Sequence, residues 1–432
     1  MIVCFYHTVS TIIIFINTTP SFSIGNGGVI GMKEKNLDIF FQNYLKKESV
    51  FVSKQTLQVA FVPDEIVHRD DQVQQIASVI APALRLERPS NLFIYGKTGT
   101  GKTLTVKHTT DKLVSAANKE SISLQKIYVN CKLKNVADTE YRLIASLARQ
   151  LGKPLPSTGL PTEDVYKAFF STVDSEKQLV ILILDEIDQL VKKAGDDVLY
   201  NLTRINEELK NSQISLIGIS NDLLFVDNLD PRVKSSLSEE ELLFPPYNAL
   251  QLQDLLLNRS TIAFRKGVVE PGVVEKCAAF AAREHGDARR ALELLRVAGE
   301  LADRKGAATV GISDVDAAEE KIEKDKIADL ITTQPKQAQL VLYSVISISN
   351  GTNKFIFTGE VYETYKKYCA EVGLRPLTQR RLSDILSEFD MLGIITARVI
   401  SKGRYGRTRE IMLAQQAATP AVKRILEESL SL

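Results

Sequence analysis

The segment Gly96-Lys97-Thr98-Gly99-Thr100-Gly101-Lys102-Thr103 constrains this chain more than any other. It fits G-x-x-x-x-G-K-[ST], follows the apolar run Asn91–Tyr95 and opens the helical pattern Lys102–Ala117. That context marks a phosphate-binding loop. Its glycines let the backbone wrap close to a polyanion, and its amides and the helix N-terminus face the negative charge. Lys102 is placed to reach β/γ-phosphates and Thr103 to put a hydroxyl on Mg²⁺, so ATP or ADP with Mg²⁺ is the expected ligand.

The loop sits in a repeating pattern. Apolar runs at Lys126–Cys131, Leu179–Leu184 and Ile214–Ile219, with a weaker one at Glu241–Phe244, alternate with helical stretches such as Val198–Leu209. Runs of this kind suit strands buried on both faces of a parallel sheet. The run Leu179–Leu184 leads into Asp185-Glu186-Ile187-Asp188. Asp185 is expected to hold Mg²⁺ through water, and Glu186 to orient and activate the attacking water. An acidic helix cap is the competing reading, with Asp188 as the cap. The run Ile214–Ile219 ends in Ser220-Asn221-Asp222, where Asn221 is either a contact to the γ-phosphate or a simple turn residue.

After Pro245-Pro246 the pattern turns helical, over Ala249–Phe264, Pro271–Glu284 and Asp287–Arg304. Asp287 can cap the last of these. Arg289 then lies in a first turn, where the helix dipole disfavours a cation. Either it is a surface residue or it crosses to the γ-phosphate. A third unit begins near Lys336, with helical patterns Gln337–Ser347, Gly359–Gly373 and Leu377–Leu392. The last repeats Leu382, Ile385, Leu386 and Phe389 at helical spacing. Two strands come after it, Ile394–Ile400 and Thr408–Leu413, around the turn Gly403–Gly406, which together suggest a winged helix.

With 432 residues several domains are expected, and a net charge of only +1 means that a nucleic-acid partner needs a local basic patch. The winged unit offers one. Thr378, Gln379, Arg380 and Arg381 lie at the start of its amphipathic helix, where base edges or phosphates are met. Lys402, Arg404, Arg407 and Arg409 surround the glycine turn with Tyr405 at its tip. A solvated helix start and a charged edge hairpin that blocks sheet pairing are the plainer readings; helix and wing together favour DNA. The four cysteines are scattered, with no zinc or disulfide spacing, so a reducing cytoplasm is expected. The apolar stretch Ile2–Ile16 is too short to span a bilayer and lacks a basic start. Residues 1–31 are expected to be a disordered extension, of the kind that the choice of an upstream start site produces.

The order Gly96–Thr103, Asp185-Glu186, Asn221 and Gly286–Arg289, followed by a helix-rich unit, resembles the AAA+ ATPases. Pro245-Pro246-Tyr247-Asn248, the run Gln251–Arg259 and the wing Gly403–Thr408 narrow the resemblance to the archaeal origin-recognition initiators. These are relatives of the largest origin-recognition-complex subunit and the cell-division-cycle helicase loader. The resemblance spans about Val62 to Leu413. It implies an α/β P-loop AAA+ domain with a parallel sheet (32–244), a helical lid (245–325), a linker (326–335) and a C-terminal winged-helix domain (336–432).

It also implies site residues. Val62 to Arg69, including His68, would cover the adenine, although Val67 stands where the family commonly has proline. Tyr247 and Arg259 would line the nucleotide from the lid side, with Leu104 just beyond the loop. Asn221 and Arg289 would be the two sensors and Arg232 an arginine finger. The segment Asn130–Gln150, with Lys132, Lys134 and Arg142, would be a second DNA element. The implied function is an ATPase switched slowly between ATP and ADP. It would bind double-stranded origin DNA, help recruit the replicative helicase, pair with a second initiator copy, and work nucleoid-associated in the cytoplasm, with no membrane. A clamp-loader or motor ATPase, a nucleotide-gated transcription regulator, and a DNA-binding module with a merely structural nucleotide site are the alternatives.

Overall fold

The computed structural model describes Phe41 and residues 48–133, 136–156, 158–237, 239–349, 355–401, 407–414 and 417–432. The extension expected at 1–31, and Lys134, Lys402, Arg404 and Tyr405, lie outside these residues, as does the side chain of Arg407. The chain divides at Ser49/Val50 into two units, and the unit Val50–Leu432 carries the sheets, the lid and the winged helix.

Helix α1 (Asp70–Ile80) leads to strand β1 (Asn91–Tyr95), the phosphate loop and α2 (Lys102–Lys119). Then come β2 (Leu124–Asn130), α3 (Glu140–Gln150), α4 (Thr162–Val173), β3 (Leu179–Asp185), α5 (Ile187–Ala194), α6 (Asp197–Arg204), β4 (Gln213–Ser220), α7 (Pro231–Leu237) and β5 (Glu239–Leu243). The strands form one parallel sheet in the order β2-β3-β4-β1-β5. All seven positions of β3 are buried, as its unbroken apolar run predicts. Its alternate residues serve two cores. Val180, Leu182 and Leu184 pack with α3, α4 and α6 on one face, whereas Leu179, Ile181 and Ile183 pack with α1 and α2 on the other. Because β1, β4 and β3 are neighbours, the loops at their carboxyl ends meet at one sheet edge, the usual ligand position in an open α/β sheet.

The lid comprises α8 (Ala249–Ala263), α9 (Val273–Arg283), α10 (Ala288–Lys305) and the start of α11 (Ile312–Thr332). Two expectations on boundaries change. Residues 50–57 do not belong to the sheet domain: Val50 and Leu57 are buried in the lid core, and Phe51 stacks on Phe264 at 4.7 Å. The linker expected at 326–335 is helical through Thr332. The single helix α11 places Ile322 in the lid core and Ile327 and Ile331 in the next one.

That third core joins α12 (Lys336–Ser349), α13 (Thr358–Val372) and α14 (Gln379–Met391) to the sheet β6-β8-β7. Here β6 is Ile356–Phe357, β7 Ile395–Ser401 and β8 Arg407–Leu413. Leu382, Ile385, Leu386 and Phe389 are buried together, as their spacing predicts. A final helix, α15 (Pro420–Leu430), is not among the helices expected from the sequence; it packs through Val422, Leu426 and Leu430.

Candidate nucleotide site and nucleic-acid face

The phosphate loop turns at the end of β1 with Gly96, Gly99 and Gly101 all at positive φ. Two of these glycines are required by what approaches them. A Cβ on Gly99 would lie 1.7 Å from Asp287 Oδ1, and one on Gly101 would lie 2.9 Å from the Tyr247 hydroxyl. Ala288 N also donates to Gly99 O at 3.1 Å. The first turn of α10 therefore sits directly on the loop, where Asp287 caps it by accepting from Arg289 N at 2.7 Å.

Lys102 is buried. Its Nζ donates to Gly96 O (2.7 Å), Lys97 O (2.7 Å) and Asn221 Oδ1 (2.9 Å). Burial lowers its pKa to about 8 against the opposing pull of Asp185, and the charge of Arg289 pushes the same way as burial. An amine held by carbonyls and an amide, and left partly undercompensated, suits an incoming phosphate. Asn221 is not serving the turn, which is made by Ser220 Oγ and Asp222 Oδ1 accepting from Asp222 N and Leu224 N. Asn221 instead accepts from Lys102, the lysine of the phosphate loop.

Thr103 Oγ1 donates to Asp185 Oδ2 at 3.0 Å, which sets two hard oxygen donors side by side at the mouth of the loop. No cluster of three or more His, Cys, Asp or Glu able to hold a metal occurs among the described residues. A hydroxyl beside a carboxylate suits Mg²⁺, which is typically held by one or two protein oxygens with phosphates and water completing the shell. Glu186 is next in the chain, in left-handed backbone (φ 55), with Oε2 3.6 Å from Lys132 Nζ. Neither Glu186 nor Asp188 caps α5 through its side chain. Asp188 is buried and meets Ser220 Oγ (3.4 Å) and Lys192 (3.6 Å), so the helix-cap reading of this acidic run does not hold.

A cleft of about 1020 Å³ brings Lys97, Thr98, Asn221, Asp287 and Arg289 together between sheet domain and lid. Arg259 is buried on α8 with its guanidinium 4.6 Å above the Phe61 ring; its Nη1 has no hydrogen-bond partner among the described residues. Such an orphaned buried donor fits a polar ligand. Val62 is exposed, and His68 Nε2 meets Asp254 Oδ2 of α8 at 3.0 Å. Arg69 differs from expectation. It is fully buried, donates to Thr100 O (3.0 Å) and Pro245 O (2.7 Å), and stacks 3.8 Å from the Tyr247 ring. It ties the phosphate loop to the lid hinge rather than facing the cleft. Thr100 is likewise buried, with Oγ1 donating to Lys97 O at 2.9 Å, and Leu104 is half-buried in α2. Arg232 is exposed, paired with Asp230 at 3.1 Å, and lines a different cleft that shares no lining residue with the first.

On the winged unit a groove of about 520 Å³ is lined by Thr358, Gln379, Arg380, Ser383, Val399, Thr408 and Arg409. Gln379 and Arg380 face it. Arg381 turns instead towards Asp384 (3.8 Å) and Glu388 (3.6 Å) of its own helix, and the Thr378 hydroxyl is the cap accepting from Arg381 N at 3.3 Å. Arg409 donates to Ser383 O (2.8 Å) and Ser387 Oγ (2.6 Å). It braces wing against helix, contrary to its expected place among the free wing cations. Lys132 and Arg142 are both ion-paired, with Glu186 and Asp138.

Three stretches match known domains in the same order: an AAA domain at residues 85–225, a Cdc6 AAA+ ATPase-type lid domain at 253–320, and a CDC6, C terminal winged helix domain at 329–419. The ORC1-type DNA replication protein of Thermococcus onnurineus is 50% identical over 386 residues, 88% of this chain and 92% of that protein. Its Pyrococcus abyssi counterpart is 49% identical over 385 residues, 88% and 91%. The chain belongs to the ORC1-type DNA replication proteins. The ORC1 structure from Aeropyrum pernix, solved in complex with DNA, matches this ORC1-type chain with a TM-score of 0.76 and 45% identity, covering 88% of this chain and 98% of that one. The fold extends to the Cdc6p of Pyrobaculum aerophilum, at 21% identity and a TM-score of 0.56.

Membership fixes the class of this ORC1-type protein as an AAA+ ATPase and replication initiator. No helix among the described residues is long and apolar enough to cross a membrane. Three site features are not legible in the sequence: the hinge clamp of Arg69, the Lys132–Glu186 pair, and Tyr128, whose hydroxyl donates to Asp185 Oδ2 at 2.7 Å. None carries a motif; each depends on strand register or on a contact between domains.

Proposed function

We propose that this chain is an ATP-switched initiator that holds duplex origin DNA through its winged helix and helps recruit the replicative helicase. The observation that carries the reading is an arrangement of two joints. The lid's α10 rests on the phosphate loop through Ala288 N and Gly99 O at 3.1 Å, and the lid's α11 continues into the winged-helix core. A change at the phosphates can therefore reach the DNA-binding unit through rigid elements.

On this reading Lys102 leaves the carbonyls of Gly96 and Lys97 to neutralise β/γ-phosphate charge, while Asn221 and Arg289 contact the γ-phosphate from sheet and lid. Thr103 and Asp185 would hold Mg²⁺, which supplies charge neutralisation on the phosphate oxygens. Glu186 orients the attacking water and takes its proton once Lys132 releases the carboxylate. Loss of the γ-phosphate removes the anion facing Arg289 and leaves α10 held to the loop only by contacts such as Ala288 N to Gly99 O. Turnover is slow, since a switch needs a lasting bound state. Arg232, remote from its own chain's cleft, would serve the nucleotide of a second initiator copy.

Gln379 and Arg380 would read or brace DNA in the groove, with Lys402, Arg404 and Arg407 of the wing neutralising phosphates and Tyr405 offering its ring and hydroxyl beside them. The DNA-bound ORC1 of Aeropyrum pernix supports DNA as the partner. Genome-wide mapping of the protein on its own chromosome, with ATP-site variants as controls, tests the reading. Enrichment at replication start sites is expected; enrichment at many promoters without an origin peak would sink it.

A further inference from the structure

We propose that Tyr128 is a positioning residue for the Mg²⁺ carboxylate Asp185, fixing the carboxylate's orientation at the metal site. The inference rests on the nucleotide-site reading above. Strands β2 and β3 pair Tyr128 with Ile183 and Asn130 with Asp185, so Tyr128 is the diagonal neighbour of Asp185 on the same face. A diagonal spacing is within reach of an aromatic side chain. The phenol hydroxyl donates to Asp185 Oδ2 at 2.7 Å, and Thr103 Oγ1 donates to the same oxygen at 3.0 Å. The other oxygen, Oδ1, accepts from Glu186 N at 3.0 Å.

These three donors differ in what Mg²⁺ binding asks of them. Thr103 carries a double load, since its hydroxyl would offer an oxygen lone pair to the metal while its single O–H donates to Asp185. The amide of Glu186 is fixed by the backbone and constrains Oδ1 alone. Tyr128 donates to Oδ2 with no second demand on its hydroxyl, and at the shorter distance of the two. Its own position is set from α2: Lys107, one helical turn beyond Thr103, puts Nζ 3.7 Å above the ring. Asp185 is buried, so a carboxylate that swung away would lose both its hydrogen bonds and its alignment. The phenol touches neither nucleotide nor water in this scheme and acts only through Asp185.

The test compares wild type with Tyr128→Phe by binding of fluorescent mant-ADP, first in EDTA and then along a Mg²⁺ titration. Metal-free affinity should be unchanged, while the Mg²⁺ concentration giving half of the tightening should rise about tenfold, the usual cost of losing a partner of a metal ligand. A Tyr128→Leu variant, lacking the ring as well, should show the same Mg²⁺ midpoint. An unchanged midpoint in Tyr128→Phe overturns the proposal. So does an equal loss of affinity with and without Mg²⁺, or a shift seen in Tyr128→Leu alone, because each assigns the ring a packing role only. A wild type that binds mant-ADP without any response to Mg²⁺ removes the metal-site reading itself, and this proposal with it.

Discussion

The molecule has two joints, and they are built differently. Sheet domain and lid meet through contacts of single residues: Ala288 N to Gly99 O, Arg69 to the Pro245 carbonyl and the Tyr247 ring, Arg259 over the Phe61 ring, and His68 to Asp254. Lid and winged helix share one continuous helix, α11, which supplies Ile322 to one core and Ile327 and Ile331 to the other. Buried Arg290 reinforces the second joint from the lid side, with Nη2 2.7 Å from Glu323 of α11 and Nε 3.1 Å from Glu284. A joint of separate contacts opens at modest cost, whereas a helix anchored in two cores moves as one body. On the proposed switch, the first joint would respond to nucleotide and the second would transmit the response.

Freezing the first joint should have the largest effect. Glu186→Gln should retain ATP binding but lower turnover by at least about a hundredfold, the lower end for loss of a general base; unchanged hydrolysis would remove Glu186 from its role. Breaking the second joint comes next. Lys324 is exposed midway between Ile322 and Ile327, and Lys324→Pro interrupts α11 at a cost of about 3 kcal/mol. Nucleotide and DNA binding should both survive, but DNA affinity should no longer depend on which nucleotide is present; persistent dependence would refute transmission through α11.

Wedging the first joint open is a smaller change. Gly99→Ala puts a methyl group against Asp287 in left-handed backbone, which should weaken nucleotide binding by about 1–3 kcal/mol. Calorimetry showing wild-type affinity would mean that the lid does not rest on the loop in solution. Arg404 and Arg407 come after both joints in the sequence. Replacing both with Ala should weaken duplex binding and reduce the slope of log affinity against log salt by about 2, while leaving the response to nucleotide intact; an unaltered slope would remove the wing from DNA binding.

Legibility in the sequence divides along the same line. The phosphate loop, Asp185-Glu186 and the buried face of α14 are legible because each depends on neighbours within a few residues or one helical period. The joints are not. Nothing local distinguishes Arg69 as a buried hinge clamp from a residue facing the nucleotide, and its role appears only when Thr100 and Pro245 are brought to either side of it. The dense charge of Lys321–Lys326 suits either a helix or a solvated linker. It is helical because Ile322 and Ile327 anchor it at both ends, while Glu323 pairs with Arg290 from another helix. Arg409 reads as one more wing cation until β8 lies beside α14 and Ser383 and Ser387 take it up. Arg380 and Arg381 are adjacent in sequence, yet only Arg380 faces the groove, because Asp384 and Glu388 draw Arg381 along its own helix.

The central claim is that nucleotide state at Gly96–Thr103 sets the DNA grip of the winged helix. It is tested most directly by measuring duplex affinity at one fixed salt concentration for Glu186→Gln held in ATP and for wild type held in ADP. The two affinities should differ by at least about fivefold, the lower end of a typical coupling free energy, and the difference should vanish in Lys324→Pro. Equal affinities in the two nucleotide states of the intact chain would contradict it.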